Sequence, residues 1–194
     1  MLLRSRTRVG WLVGLSLWGY GCHGVYTRAP LAAAHDDRVV GEWLAQGETD
    51  TFTIRRDGDE YVGDVKDEKP TRFRLLRVGE TFYVQSGGKP CTDFPREDEC
   101  YSLGRLELGQ DTARLFHFDT AAMFTASLTE ALGASYELRR TFSNGGASSR
   151  ALNDFLLTGP ESEVRAFLGK YGLRFTATSV AQYSRVKKKR EEAK

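Results

Sequence analysis

Between residues 38 and 142 the chain is written largely in steps of two, and that period constrains its fold more than any other feature. Phe52 and Ile54 alternate with Thr51, Thr53 and Arg55. Tyr61, Gly63 and Val65 alternate with Asp64 and Lys66, and Phe73 and Leu75 with Arg72 and Arg74. A period of two sends successive side chains to opposite faces of a strand. Turn signals sit between the runs: Asp57-Gly58-Asp59, then Lys69-Pro70, then Gly79-Glu80 ahead of Phe82 and Val84. Asp-Gly between two alternating runs marks a tight hairpin, because both residues tolerate positive φ. Tyr101 to Leu108 and Ala113 to Phe118 flank Gly109-Gln110-Asp111 in the same way. This pattern predicts a meander of short antiparallel strands with one apolar and one wet face.

The pattern then changes. Asp119 is placed to cap a helix running to about Leu132 and closed by Gly133, with Phe124, Leu128, Ala131 and Leu132 on one stripe. Tyr136, Leu138, Arg140 and Phe142 alternate again. Ser143-Asn144-Gly145-Gly146 reads as a turn, and Ala151 to Leu157 as another strand. Thr158 and Glu161 have capping-box spacing, Pro160 is tolerated in a first turn, and Val164, Phe167, Leu168 and Tyr171 fall at helical spacing before Gly172. Residues 173–186 are left for a last strand. The fold class expected is mainly β (β-rich α+β): an antiparallel meander forming a small barrel or a curved sheet, with two helices.

Gly41-Glu42-Trp43 near the start of the meander resembles the Gly-x-Trp of lipocalin-like barrels, and the resemblance spans about residues 38–142. It implies a Trp43 packed at a closed barrel end. The later Leu-x-x-Phe-Leu-Leu-Thr and Glu-x-Glu-Val-Arg-Ala-Phe-Leu stretches look like those of uncharacterised bacterial lipocalin-like lipoproteins, a family that brings no activity with it. The strands are short for a deep calyx, so an interior filled by side chains stands beside a ligand cup.

The N-terminus supplies an address. Arg4, Arg6 and Arg8 precede the apolar run Val9 to Trp18, then Gly19 and Gly21, then Cys22. Charge, apolar run and small residues make the secretory pattern. The run is shorter than the roughly 20 apolar residues a membrane-spanning helix needs. Gly21-Cys22 resembles the end of a bacterial lipoprotein signal, which implies cleavage before Cys22 and acylation of its thiol; Gly19 and Tyr20 depart from the usual pattern. Ordinary cleavage near Leu31-Ala32-Ala33-Ala34 is the rival reading. The organisation expected is a signal peptide over 1–21, a tether over 22–37, the β domain over 38–186 and a charged tail over 187–194. The tail reads as a solvated end, with weak contact to anionic lipid as its functional alternative.

Composition narrows the partners. The 194 residues carry 28 Lys and Arg against 26 Asp and Glu. Without residues 1–21, which hold three Arg and no acid, the net charge is −1. A near-neutral domain lacks the basic face of a nucleic-acid binder. Cys91 and Cys100 enclose an acidic loop, and outside the cytosol such a pair is expected to be oxidised. The bridge would stabilise by about 2.5 kcal/mol in the chain-entropy model. A metal site would want further Cys or His nearby, and a redox pair more often reads Cys-x-x-Cys.

Candidate chemistry is sparse. His35 falls in the expected tether beside Asp36 and Asp37. His117 lies opposite Phe116 and Phe118 and pairs with no recognisable nucleophile. Asp57-Gly58-Asp59-Glu60 is too short for a calcium loop, and Glu97-Asp98-Glu99 reads as a solvated acidic loop. Asn144-Gly145-Gly146 lacks the Lys-Ser/Thr of a phosphate loop. No catalytic residue, metal or cofactor is expected. Aromatic side chains are the remaining clue: Trp43, Phe52, Tyr61, Phe73, Phe82, Phe116 and Tyr136 supply either a packed core or the lining of a pocket for an apolar ligand. The function expected is that of a non-catalytic, lipid-anchored protein of the bacterial cell envelope, facing the periplasm or the surface. It would be held to the membrane by an N-terminal lipid and act by interaction at the membrane surface, through contact with an envelope protein or with the surface itself. A lipocalin-like carrier of a small apolar molecule is the alternative.

Overall fold

The computed structural model describes residues 24–90, 99–143 and 150–187. Its frame is a closed antiparallel barrel of eight strands. These are β2 (Gly41–Ala45), β3 (Thr51–Asp57), β4 (Glu60–Val65), β5 (Thr71–Val78), β6 (Thr81–Pro90), β7 (Glu99–Leu108), β8 (Thr112–Phe118) and β11 (Thr176–Arg185). Each strand from β2 to β8 pairs with the next. The C-terminal strand β11 then inserts between β8 and β2, where Tyr183, Ser184 and Arg185 stand opposite Ala45, Leu44 and Trp43. Closure leaves none of these eight strands with an open edge along its barrel portion, which removes the usual hazard of an exposed ladder.

A second, smaller sheet grows out of β7. Along one edge β7 pairs with β6; along the other its residues 105–108 pair with β8, and its residues 101–103 pair with β1 (Val25–Thr27). Beyond β1 lie β10 (Arg150–Leu157), parallel to it, and β9 (Tyr136–Ser143), antiparallel to β10. Helices α1 (Thr120–Thr129) and α2 (Glu161–Tyr171) cover the region between barrel and small sheet, with α1 against β10 and α2 against β5.

This arrangement makes two cores. The barrel interior takes Trp43, Phe52, Tyr61, Leu75, Val84 and Leu115. The outer face of the same wall, with Leu76, Tyr83 and Phe118, packs on Met123, Phe167 and Tyr171 of the helices and on Val25 and Phe155 of the small sheet. Strands β5 and β6 are therefore buried on both sides, and Leu75-Leu76 and Phe82-Tyr83-Val84 run apolar without a break. The one-wet-face expectation fails on that wall because the helices cover it; it holds for β3, whose Arg55 pairs with Asp64 of β4 at 3.2 Å on the solvent side, and fails again at Val62 of β4, 1% exposed on the same face as Asp64.

Other expectations meet the same test. The hairpin at Asp57-Gly58-Asp59 forms, with Asp57 opposite Glu60 and Gly58 at φ 63°. The expected tether is instead built into the fold over the part described. Val25 is fully buried between β7 and β10, Leu31 is 4% exposed, and the Ala34 N–H donates to the Leu75 carbonyl at 2.7 Å. A three-residue strand is too short to show a period, so nothing in the chain distinguishes it from a spacer. Helix α1 is capped by Asp119, whose carboxylate accepts from the Ala122 N–H, but it ends at Thr129. It buries Met123 and Ala126, and Leu128 is 71% exposed, so the expected stripe is rotated. Helix α2 buries Val164, Phe167, Leu168 and Tyr171 as expected, without the capping box: Pro160 is its N-cap, and Glu161 accepts instead from the Ala32 N–H at 3.2 Å. The expected turn at 143–146 runs out of the described residues after Ser143, and the tail does so after Lys187.

Gly87 marks the bend where β6 and β7 leave the barrel. Their register slips between Gly87 and Lys89, Gly87 has φ 152°, and a Cβ there would run into the Cys100 carbonyl. Both the conformation and the space require glycine. Gly87→Ala is expected to destabilise the protein by about 2 kcal/mol or more, read as a lowered midpoint in urea; an unchanged midpoint would show that the bend tolerates a side chain.

Candidate functional site

The barrel interior is where five of the aromatic candidates meet. Trp43, Phe52, Tyr61, Phe73 and Phe82 belong to one cluster. Phe116 and Tyr136 do not join them. Phe116 falls on the outer register of β8, under the Arg105 guanidinium at 4.0 Å, and Tyr136 packs on Phe155 at 5.4 Å in the helix-covered core. Tyr183, on the last strand, completes the interior by meeting Phe52 edge-on at 5.5 Å. Sequence reading missed Tyr183 because β11 is irregular: its register against β8 shifts between Thr176 and Ala181.

What remains unfilled is an apolar cavity of about 80 Å³ lined by Val39, Trp43, Phe52, Ile54, Phe73, Val84, Leu106, Leu108, Ala113, Leu115 and Tyr183. Ligand pockets for drug-sized molecules run to roughly 300–1,000 Å³, and an engineered cavity that takes up benzene measures about 150 Å³. The barrel is thus close to a packed core.

One end of the barrel is sealed by the chain leading into β2. A 3₁₀ turn, Asp37–Val39, places the Val39 carbonyl where the Trp43 indole N–H donates to it at 2.9 Å. Arg185 lies over the Trp43 ring at 4.7 Å, and its guanidinium donates to the carbonyls of Val40, at 2.8 Å, and Arg38. Gly41 has φ 141°, and a Cβ on it would sit 2.5 Å from Arg185 Nη1. Glycine and arginine are therefore fitted to each other across the closing pair of strands. The Tyr61 hydroxyl accepts from the Asp36 N–H at 2.9 Å and donates to the Asp36 carbonyl at 3.3 Å, pinning the same segment.

Outside this seal lies a polar groove of about 390 Å³ bounded by Asp36, Arg38, Arg77, Glu80, Phe82, Arg105 and Glu107. Arg38 and Arg77 both stand over the Phe82 ring, at 5.9 and 5.7 Å. Each arginine has its own carboxylate: Arg38 with Asp36 at 2.6 Å, Arg77 with Glu80 at 2.9 Å, Arg105 with Glu107 at 2.7 Å. Hydrogen bonds from Arg38 hold the Asp36 carboxyl below its ordinary pKa. With charges matched in pairs, the groove has no excess of either sign to hold an ion.

The remaining candidates stay apart. His35 stands 3.5 Å from Asp59. His117 is half-buried on the interior register of β8 beside Leu115, and burial lowers its pKa. Asp57 and Glu60 flank Arg72 at 2.9 and 3.1 Å, which suits a hairpin turn. Among the described residues no three His, Cys, Asp or Glu side chains gather at metal-binding distance, and no helix is long and apolar enough to cross a membrane. Cys22, Cys91 and Glu97-Asp98 lie outside the described residues. Cys100 is 9% exposed and packs near Tyr26 and Leu156. Comparison with family models, with curated proteins and with solved structures gives no match.

Two predictions test this geometry. Replacing Arg185 by Met keeps the apolar stem but strips two backbone carbonyls of their donor, so a loss of about 2 kcal/mol in urea unfolding is expected. Arg185→Lys should not rescue it fully, because a planar fork makes both bonds. Burial raises the pKa of Tyr61, Tyr83 and Tyr183, Tyr83 to about 12. The folded state therefore keeps phenolic protons that the unfolded chain loses near pH 10. Stability should hold below pH 10 and fall as pH rises from 10 towards 12, with Tyr83→Phe flattening that fall; a melt independent of pH across this range would contradict it.

Proposed function

We propose that this chain is an exported lipoprotein of the bacterial cell envelope, anchored through Cys22, whose barrel serves as a non-catalytic scaffold for surface contact. The observation that carries the scaffold reading is the filled interior: about 80 Å³ is too little for a lipid or a sterol-sized cargo. The anchor rests on the Arg-flanked apolar run, Gly21-Cys22 and the likeness to lipocalin-like lipoproteins. The early start of the fold supports a close attachment. The Gly24 N–H donates to Asp154 Oδ1 at 2.8 Å, and β1 begins one residue later. Few residues would separate the acylated cysteine from the domain, which would ride directly on the bilayer. A Cys91–Cys100 disulfide belongs to the same proposal, supported by the burial of Cys100.

A second reading has one observation in its favour, the predominantly apolar lining of the cavity. In that reading the barrel holds a ligand smaller than benzene, or opens to admit a larger one.

The full chain expressed in an exporting bacterium should fractionate with membranes, and its N-terminal peptide should carry fatty acyl groups on Cys22. Cys22→Ala should move it to the soluble fraction or leave the signal uncut. A wild-type N-terminus that starts near Ala34 without acyl groups would refute the anchor. Native mass spectrometry of the detergent-extracted protein then separates the two readings: a bare protein mass fits the scaffold, and an apolar mass released on denaturation fits the carrier.

A further inference from the structure

Among the described residues the small sheet ends in one long edge with no strand beyond it. Of the described strands β10 is the one that β9 pairs with, and none lies along its other edge. An edge of eight residues is a template for a further strand. Its side chains specify which strand would fit.

Tyr136, Leu138 and Arg140 share the face that α1 covers: Tyr136 joins the helix-facing core, and Arg140 lies over the Phe124 ring at 4.6 Å. Leu138 between them is 37% exposed, and Leu128, one helical turn on from Phe124, is 71% exposed. On the opposite face are Glu137, which pairs with Arg28, and Arg139, which stands opposite Asp154. The order Tyr-Glu-Leu-Arg-Arg is close to self-complementary when reversed. A two-fold axis normal to the sheet and through Leu138 sets Leu138 against Leu138, Glu137 against Arg139 and Tyr136 against Arg140 of the other copy. Moving the axis to Glu137, Arg139 or Arg140 sets like charges directly opposite, which opposes pairing.

We propose that the chain forms a two-fold homodimer by antiparallel pairing of β9 with β9 in the Leu138-centred register. The occupant of the edge is a second copy of this chain, identified by that charge complementarity. The pairing joins two small sheets into one continuous sheet and gives Leu138 and Leu128 of each copy an apolar neighbour on the helix-covered face. On the other face the Arg28–Glu137 pair extends to Arg139 of the second copy. The geometry is isologous, so it closes at two copies and does not propagate. It is independent of any anchor at Cys22.

The test uses the full chain in non-ionic detergent, with sedimentation over a wide concentration range. A dimer is expected; a monomer throughout overturns the proposal and makes the edge charges guards against pairing. Leu138 lies on the axis, so Leu138→Cys should give an interchain disulfide under mild oxidation, whereas Leu173→Cys, 65% exposed elsewhere on the surface, should not. Equal cross-linking at both positions would overturn the register. Glu137→Arg should weaken the dimer by about tenfold or more, and adding Arg139→Glu should restore it. Restoration separates a role across the interface from a role within the chain, because the double swap does not rebuild the Arg28–Glu137 pair. Leu138→Lys, at an exposed position, should keep the thermal melt and lose the dimer. A dimer that survives it also overturns the proposal.

Discussion

Everything in this fold depends on how the backbone hydrogen bonds of β7 are divided. One edge of the strand is given wholly to β6. The other is shared, residues 105–108 closing the barrel through β8 and residues 101–103 carrying β1 and the small sheet. A strand has only two edges, so two sheets can share it only by dividing its length. The N-terminal segment consequently enters the structure in mid-sheet, with β1 between β7 and β10. The helices are drawn to the angle between barrel and small sheet, where both surfaces are apolar. The break in register at Gly87 belongs to the same division, since it lets the β6–β7 ribbon bend away from the barrel axis.

The double-sided wall that results needs polar groups that can be buried. Gln85 is 1% exposed on the helix-facing side of β6, yet its amide is well satisfied. Its carbonyl accepts from the Leu31 N–H at 2.9 Å, and its NH₂ donates to Thr27 Oγ1 at 2.6 Å and to the Ala29 carbonyl at 3.0 Å. Three positions of an irregular segment are thus tied to one strand. Burying that amide without partners would cost a few kcal/mol, so the side chain specifies where residues 27–31 lie more than it adds net stability. Tyr83 plays the corresponding part for α2, donating to the Leu168 carbonyl at 3.0 Å. Barrel, N-terminal segment and helix are joined by hydrogen bonds from adjacent positions on one strand.

The alternation of β3 to β8 was readable because each strand has at least one regular apolar face, and the turns carry residues suited to positive φ. That was enough for a mainly β fold with two helices and for an aromatic interior. It was not enough for Phe116 and Tyr136, because spacing alone does not say which face of β8 is the inside, nor that β9 belongs to the small sheet and not to the barrel. Val25-Tyr26-Thr27 was illegible for a different reason: three residues have no measurable period, and their partners lie far along the chain. Arg185 is the clearest omission at the candidate site. It stands on the last strand, but its partners, Arg38, Val40 and Trp43, come from the start of the domain. Only closure brings the two ends together.

Closure also sets how much room the barrel keeps inside. A barrel with its interior filled by Trp43, Phe52, Phe73 and Tyr183, and with one end sealed by Arg185, has little room for cargo. The groove outside the seal neutralises its own charges in pairs. On the scaffold proposal, contact with a partner would fall to the exterior. Most of the barrel exterior there is either covered by helices or studded with local ion pairs such as Arg55–Asp64 and Arg72–Asp57. Exposed pairs of this kind contribute little to stability, but they keep the barrel strands soluble and uninviting to further pairing. The small sheet lacks the topological protection that closure gives the barrel, since an open sheet must end somewhere. Among the described residues its end is β9, a strand that carries both apolar and charged side chains.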